Sequence, residues 1–201
     1  MYGLIALAVA YILGAIPFGF LLVKFTRGDD VRASGSGNIG ATNVLRTSGK
    51  KLGVATLLLD IAKGYLAVYF AAWLTNDAPE WTSLAALAVM AGHAFPVFLR
   101  FQGGKAVASF IGAFLYLTPW PLAASLLLFL ACVAYTQFIS AGSIIAAGAF
   151  PFGVWIISHP PWQITAAAFL AAAFVIYRHK SNLVRLRDGS ENVFSWNRIG
   201  S

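Results

Sequence analysis

Residues 2–23, with the sequence YGLIALAVAYILGAIPFGFLLV, decide the fold class of this chain. The stretch contains no charged side chain, and it has the roughly 20 residues that a helix needs to cross about 30 Å of hydrocarbon. No basic segment precedes it and no small-residue cleavage site follows it, so it is not typical of a signal peptide. We therefore expect a transmembrane helix here that stays in the mature protein.

The remainder of the chain has the same apolar character. Hydrophobic residues make up 59% and charged residues 10% of its 201 residues, whereas soluble domains carry roughly 25% charged residues. Five apolar runs are long enough to be clear spans, near residues 2–25, 52–74, 83–99, 122–138 and 162–178. Runs 104–118 and 143–158 are shorter, so each is either a short buried helix or a re-entrant segment.

Counting both short runs as crossings predicts an all-α polytopic integral membrane protein with about seven transmembrane helices. We expect it to form a single membrane-embedded domain over residues 1–201. Prolines and tryptophans at 118–121 and 159–162 support the boundaries of the short runs, because proline breaks helices and tryptophan suits the membrane interface. Five crossings remain the alternative.

Positive charge is distributed asymmetrically between the loops. Thirteen of the fourteen Lys and Arg residues fall in loop 24–51, in loop 100–105 and in the tail from Arg178. The opposite side has Asp77 and Glu80 but no Lys or Arg. Because cytoplasmic loops of bacterial inner-membrane proteins carry excess Lys and Arg, we expect the N-terminus outside and the C-terminus in the cytoplasm. The net charge of +7 has this topological explanation as well as that of an anionic partner.

The loop after the first span, SGSGNIGATNVLR at 34–46, is the most informative polar segment. Its glycines match GxGxxG, but the dinucleotide fingerprint follows a β-strand, and here a membrane helix precedes it. Glycines still let backbone N–H groups converge on an anion, and arginine can bind phosphate through two hydrogen bonds. A flexible linker is the alternative. The candidate phosphate ligands are Ser36, Gly37, Asn38, Gly40, Thr42, Asn43 and Arg46.

A second polar segment, GHAFPVFLRFQGGK at 92–105, follows the third span. Gly103, Gly104 and Lys105 precede an apolar helix, which predicts open backbone amides and a lysine at a helix N-terminus, where the dipole favours anions. Alternatively the glycines only turn the chain. His93 lies inside the span, as a functional group or as a core histidine bonded to a backbone carbonyl.

The tail and two of the spans add further candidates. His179 and Asn182 are three residues apart, so they would share one face of a helix. The basic tail residues that follow are equally well explained by anionic lipid headgroups. Asp60 and Lys63 are expected to form a structural ion pair within the second span. Ser143 either caps a helix or donates to an anion.

Together these motifs resemble the bacterial membrane-bound glycerol-3-phosphate acyltransferases that use acyl phosphate as donor. Four segments carry the resemblance: GSGNIGATNVLR from Gly35, GHAFPVFLRFQGGKAVA from Gly92, the region of Ser143, and a tail with HxxN from His179 and GSEN from Gly189. The HxxxxD motif of acyltransferases that use thioester donors does not occur in the sequence.

The resemblance implies transfer of a fatty acyl group from acyl phosphate to the 1-hydroxyl of glycerol 3-phosphate. The products would be lysophosphatidic acid and phosphate, in the first acylation of phospholipid biosynthesis. The family is multi-pass in the bacterial inner membrane, with an active site facing the cytoplasm and no metal or other cofactor. The expected partners are the two substrates and membrane lipids, not nucleic acid, and the chain is expected to be a monomer.

The resemblance also assigns roles to the candidate residues. Ser36, Lys105, His179 and Asn182 would be catalytic. The substrate phosphates would be bound by Gly37, Asn38, Gly40, Thr42, Asn43, Arg46, Gly103, Gly104 and Ser143. His93 and Glu191 would support the site, Glu191 by orienting a basic side chain.

Acyl phosphate is already activated, so the chemistry needs orientation and oxyanion stabilisation more than a covalent nucleophile. Direct attack by the acceptor hydroxyl is therefore expected, with His179 or the bound substrate phosphate as the base. The alternative from another class is a membrane transporter or exchanger of phosphate-bearing anions. Such a transporter would place its polar groups near the midplane, whereas most of them here lie in loops.

Overall fold

The computed structural model describes residues 1–194 of the chain. These residues form helices and turns, without a β-strand among them, which confirms the predicted all-α class. The helices are α1 (Tyr2–Ala15), α2 (Phe18–Arg27), α3 (Ala41–Ser48), α4 (Lys50–Thr75), α5 (Pro79–Ala94), α6 (Val107–Leu117), α7 (Pro119–Thr136), α8 (Ile139–Gly153), α9 (Trp162–Arg178) and α10 (Lys180–Arg187). Short 3-10 turns lie at Val31–Ala33 and Val97–Leu99, and a π-helical segment, Val154–Ser158, extends α8.

Within residues 1–194, helices that are long and apolar enough to cross a membrane occupy five segments: Tyr2–Arg27, Lys50–Thr75, Pro79–Leu99, Pro119–Thr136 and Ile139–Ser158. Helices α6 and α9 are apolar but shorter. The run at 143–158 is longer than its apolar core suggests, because the small and polar residues from Ile139 onward also join the helix. Seven crossings and the orientation of the termini stay predictions.

The first span is divided into α1 and α2 at Pro17. Proline has no N–H and its ring clashes with the preceding turn, so α1 ends at Ala15 and α2 begins at Phe18. The apolar pattern does not predict this break, because proline is itself compatible with an apolar run. The break leaves the carbonyl of Ile16 at the end of α1 available to a donor from outside its own helix.

Residues 41–48, expected to belong to loop 24–51, form the short helix α3. Gly40 precedes it in an extended conformation, with φ −76° and ψ 161°. The helix is amphipathic, and its buried Val44 packs with Val23 and Val31 in a small apolar cluster. Three buried positions in eight residues are too few to stand out from a polar loop in sequence, which explains why the helix is not predicted.

Helices α4 and α6 pack closely because glycine lies on both sides of their crossing. A Cβ added to Gly64 would collide with the backbone of Ser109, and one added to Gly112 would collide with the backbone of Ile61. Small residues allow this kind of close helix approach in membranes. The backbones of the short α6 and the longer α4 therefore approach closely.

The polar segments meet at one end of the bundle, which we call the loop end. It comprises residues 24–51, 95–106, 137–138 and 178–194. Every described Lys and Arg except Lys63 lies at this end. The charge asymmetry of the sequence is thus also a property of the folded bundle.

Candidate active site

Asn43 shapes the loop that carries Ser36. Its Oδ1 accepts a hydrogen bond from the backbone N–H of Ser36 at 2.8 Å, and its Nδ2 donates to the carbonyls of Val31, Ser34 and Asn38 at 3.2, 3.1 and 2.8 Å. The Asn43 side chain is buried, with 2% of the residue exposed. The buried Asn43 side chain therefore holds the loop from its protein-facing side. A direct contact between Asn43 and phosphate stays a prediction.

The glycines of this loop meet a conformational requirement. Gly35 and Gly37 have φ values of +61° and +68°, in the left-handed region that side chains disfavour. A Cβ on Gly35 would also collide with Oδ1 of Asn43. The loop conformation that presents Ser36 and Asn38 thus depends on glycine at both positions.

Gly103 and Gly104 do not present open backbone amides, so that part of the prediction is wrong. The N–H of Gly103 donates to the carbonyl of Ala94 at 3.2 Å, and the N–H of Gly104 donates to the carbonyl of His93 at 3.1 Å. The chain reverses at Arg100, which has φ +51°, and runs back against the end of α5. The two glycine N–H groups are therefore occupied by carbonyls of α5 and are not available to an anion.

Arg178 holds the same two glycines from the other side. Its Nε donates to the carbonyl of Gly104 at 3.1 Å, and its Nη2 donates to the carbonyls of Gly104 and Gly103 at 2.9 and 3.2 Å. The guanidinium also stacks over Phe95, 5.0 Å from the ring centroid. In sequence Arg178 is an ordinary basic residue at the end of a span, so only the fold reveals that it positions the segment before Lys105.

Lys105 begins a chain of polar contacts that joins two predicted segments. Its Nζ donates to Oδ1 of Asn182 at 2.6 Å, and Nδ2 of Asn182 donates to Oε1 of Glu191 at 3.0 Å. The other oxygen of Glu191 pairs with Nε of Arg185 at 2.9 Å. Glu191 thus contacts a basic side chain, as expected, and the partner is Arg185, which the sequence does not distinguish from its neighbours.

The environment of Lys105 favours an anionic ligand. Burial lowers the pKa of Lys105 to about 8, with Glu191 opposing the shift and Arg185, Arg46 and Arg178 adding to it. Four cationic side chains and one carboxylate therefore surround the same space. A phosphate bound there would relieve the mutual repulsion of the cations.

His179 has a free ring nitrogen that can accept a proton. Its Nδ1 lies 2.8 Å from the carbonyl of Val175, and because a carbonyl only accepts, Nδ1 carries the proton and Nε2 has the free lone pair. Burial, together with the charge of Lys105, lowers the pKa of His179 to about 4. The imidazole is consequently neutral at pH 7.

Two adjoining cavities lie at the loop end. The first, which we call the cup, has a volume of about 240 Å³. The second, the groove, has a volume of about 560 Å³ and is lined by aliphatic residues of α4, α6, α7 and α8. Both cavities are lined by Ser36, Asn38, Lys105 and Arg185. A cationic chamber therefore adjoins an apolar one.

Most predicted site residues line the groove. The first segment and α3 contribute Ser36, Asn38, Gly40, Thr42, Asn43 and Arg46. The later segments contribute His93, Lys105, Ser143, His179, Asn182 and Glu191. Gly37, Gly103 and Gly104 lie in the adjoining backbone without lining either cavity. Segments far apart in sequence thus meet in one site.

Ser143 lies in the second turn of α8 and not at its start. The helix begins at Ile139, and Oγ of Ser143 donates to the carbonyl of Ile139 at 2.9 Å. The alternative that Ser143 caps the helix is therefore excluded. Among residues 1–194, no group of three or more His, Cys, Asp or Glu residues gathers as it would around a metal ion.

The sequence from residue 4 to residue 189 matches the model of the glycerol-3-phosphate acyltransferase family. The chain belongs to this family. It is 47% identical over 191 residues to the glycerol-3-phosphate acyltransferase of Geobacter sulfurreducens, covering 95% of this chain and 97% of that one. The corresponding enzyme of Trichlorobacter lovleyi is 46% identical over 192 residues, with 96% and 97% covered.

Solved structures agree with this membership. The glycerol 3-phosphate form of PlsY (YgiH), an integral membrane glycerol 3-phosphate acyltransferase, superposes with a TM-score of 0.92 at 34% identity, over 99% of this chain and 98% of that one. Its lysophosphatidic acid form gives 0.90 at 32% identity, with the same coverage. The chain is thus an integral membrane acyltransferase of lipid biosynthesis, and the transporter alternative is set aside.

Proposed function

We propose that this acyltransferase moves a fatty acyl group from acyl phosphate to the 1-hydroxyl of sn-glycerol 3-phosphate, giving lysophosphatidic acid and phosphate. The observation that carries the proposal is that the cup and the groove adjoin and share Ser36, Asn38, Lys105 and Arg185 in their walls. A substrate with a phosphate at one end and an alkyl chain at the other matches this pair of chambers. PlsY, solved with glycerol 3-phosphate and with lysophosphatidic acid, supports the same substrate and product.

The cationic residues are arranged to bind two phosphate groups. Arg46 lines the groove on the side of α3, and Lys180 lines the cup on the side of α10. Lys105 and Arg185 line both cavities. Acyl phosphate and glycerol 3-phosphate each carry one phosphate, so cationic side chains in both cavities are what a two-substrate site needs.

We propose a direct transfer without an acyl-enzyme. The acceptor oxygen forms a bond to the acyl carbonyl carbon, and the bond from that carbon to the phosphate oxygen breaks, its electron pair leaving with phosphate. The hydroxyl proton passes to Nε2 of His179 or to the bound substrate phosphate. His179 is oriented by the carbonyl of Val175 and not by a carboxylate, which argues against a serine triad.

The charge of Lys105 serves both binding and leaving-group departure. Negative charge grows on the carbonyl oxygen and on the departing phosphate during transfer, and a desolvated ammonium stabilises both. Ser36 and Asn38, held by the Asn43 network, would supply neutral donors beside it. Asn182 would fix the ammonium through its 2.6 Å contact.

The position of the site in the cell is part of the proposal. The described basic residues outside the spans lie at the loop end, which supports a cytoplasmic active site in the bacterial inner membrane. With the loop end in the cytoplasm and seven crossings, including α6 and α9, the N-terminus is outside. We also propose that the chain works as a monomer without a cofactor.

One reconstitution tests the proposed reaction. Purified protein in detergent is mixed with glycerol 3-phosphate and either hexadecanoyl phosphate or hexadecanoyl-coenzyme A, and lysophosphatidic acid and released phosphate are measured. We expect equimolar products with the acyl phosphate and none with the thioester. Product from the thioester alone would refute the proposed donor, and no product from either would refute the reaction.

The rate should fall at alkaline pH because Lys105 must be charged. A lysine is cationic below its pKa, so kcat/KM is expected to be level near pH 7 and to fall above about pH 8. The measurement is the pH dependence of kcat/KM for glycerol 3-phosphate. Lys105→Arg should remove this decline up to about pH 10, because arginine stays charged. An unchanged decline in that variant would contradict the assignment.

The apolar groove should determine which acyl-chain lengths the enzyme accepts. Ala146 lines it about 10 Å from the start of α8, given the rise per helical residue. Ala146→Leu is expected to lower kcat/KM for hexadecanoyl phosphate at least about 10-fold, and for octanoyl phosphate much less, because only the long chain reaches the added side chain. Ala131→Leu on the exposed face of α7 is the matched control. Equal losses for both donors would contradict a chain-binding groove.

A further inference from the structure

A buried cluster of charge lies beside the site without a part in the proposed chemistry. Nζ of Lys63 lies 2.8 Å from Oδ1 of Asp60, and Nδ1 of His93 lies 3.7 Å from the same oxygen. The three residues are only 3%, 2% and 3% exposed. The expected pairing of Asp60 with Lys63 is confirmed. At 3.7 Å the His93 nitrogen is too far for a hydrogen bond, so the His93 ring joins the cluster by packing against the carboxylate.

Such a cluster is costly in a membrane protein. Charged side chains at membrane depth carry a large desolvation penalty, and replacing a buried ion pair by apolar residues is often neutral or stabilising. Stability alone therefore does not account for this pair. The pair is explained if it holds groups of the active site in place, and this requires that contacts of the cluster reach the site.

One side of the cluster reaches the break in the first span. Nζ of Lys63 donates to the carbonyl of Ile16 at 2.8 Å, which is the group that Pro17 separates from its own helix. The ammonium also lies 5.6 Å from the ring centroid of Phe18. Lys63 thus fixes the start of α2, the helix that leads into the loop of Ser36.

The other side of the cluster reaches the segment of Lys105. The ring of His93 lies flush against Gly104, where an added Cβ would meet three ring atoms. The carbonyl of His93 accepts the N–H of Gly104. Asp60, His93 and Lys105 all line the groove.

We propose that Asp60 is a positioning residue, whose carboxylate packs against the His93 ring at Gly104 and holds the Lys63 ammonium at Ile16. It thereby fixes the segment of Lys105 relative to the helix that leads to Ser36. The two halves of the site come from distant parts of the chain, and Asp60 on α4 is the group between them. The activity measurement below rests on the proposed function, whereas the labelling measurement does not.

The test follows the amine of Lys105. The double variant Asp60→Asn with Lys63→Met removes both charges and so leaves neither ion unpaired. His93→Leu removes the ring that contacts Gly104 and Asp60, while the Asp60–Lys63 pair stays in place. In each, competitive acetylation by acetic anhydride across a pH series, read by mass spectrometry of the Lys105 peptide, gives the pKa of that amine. Thermal unfolding in detergent reports whether the variant is folded. Ser83→Ala, a buried polar change on α5, is the control.

The expected result is a change in the surroundings of Lys105. In the unchanged protein its pKa is about 8, and Glu191, Arg185, Arg46, Arg178 and His179 face it. A displaced segment exposes the amine, so the pKa should rise by about one unit in both test variants and not in Ser83→Ala. The kcat/KM for acyl transfer should fall about 10- to 100-fold.

The outcomes are separable. A folded His93→Leu variant or double variant in which Lys105 keeps its pKa would overturn the positioning role. Labelling needs no turnover, so a shifted pKa in a protein that does not use acyl phosphate would support the positioning role and refute the proposed donor. A stability change without a shifted pKa would mean that the cluster only stabilises the fold.

Discussion

Replacing Lys105 with alanine should lower kcat/KM for acyl transfer by about a thousandfold or more, with little change in stability. The loss combines a phosphate contact with stabilisation of charge in the transition state, and removing a single such donor typically costs about 100- to 1,000-fold. The variant should fold, because it removes a desolvated charge and creates no unpaired ion. Steady-state rates and thermal unfolding of the purified variant test this.

Arg187→Ala is the matched control for Lys105. Arg187 is also basic and lies at the end of α10, but it is exposed and lines neither cavity. Its replacement should change kcat/KM by less than about threefold, as expected for an exposed residue away from the site. Similar losses in the two variants would mean that the site is not where Lys105 lies.

Gly104→Ala should lower kcat/KM by about 100-fold although glycine has no side chain to contribute. An added Cβ would meet Nε2 of the His93 ring, with Cδ2 and Cε1 at 2.9 and 3.1 Å. The ring cannot move easily because His93 is buried, and Arg178 holds the carbonyl of Gly104 from the opposite side. The segment must shift, and a displacement of about 1 Å at a catalytic group costs about 100-fold.

Gly148→Ala is the control for this substitution. Gly148 lies inside α8, and the nearest atom to an added Cβ is Cδ1 of Ile176 at 3.9 Å, an ordinary contact. Alanine favours a helix over glycine by about 1 kcal/mol, so this variant should be as active and at least as stable. If Gly104→Ala matched it in rate, the position of Lys105 would not depend on the packing of Gly104 against His93.

The fold class and the participating segments are predictable from this sequence because both depend on composition and local pattern. Long apolar runs identify spans whatever their partners. The short helix α3 is not predicted because its buried positions are few. The break at Pro17 is not predicted because apolar residues surround the proline. Both depend on contacts with other segments.

Within the site, the residues are easier to predict than their contacts. The motifs place Lys105 and Asn182 in one site, and the two side chains do meet. The pattern of Gly103 and Gly104 wrongly predicts open amides, since sequence does not reveal that the chain folds back on α5. In sequence, Arg178 and Arg185 look like any basic residue near a membrane. Only their hydrogen bonds, to Gly104 and to Glu191, distinguish them.

The groove is open along one side at membrane depth, where Leu57 and Leu130 line it while remaining 38% and 56% exposed. A donor with a long tail can thus enter sideways from the bilayer, and its product can return the same way. The relevant concentration is then the mole fraction of donor among the lipids. Diluting the donor with inert detergent or lipid at constant bulk concentration should slow the enzyme, as in surface dilution kinetics.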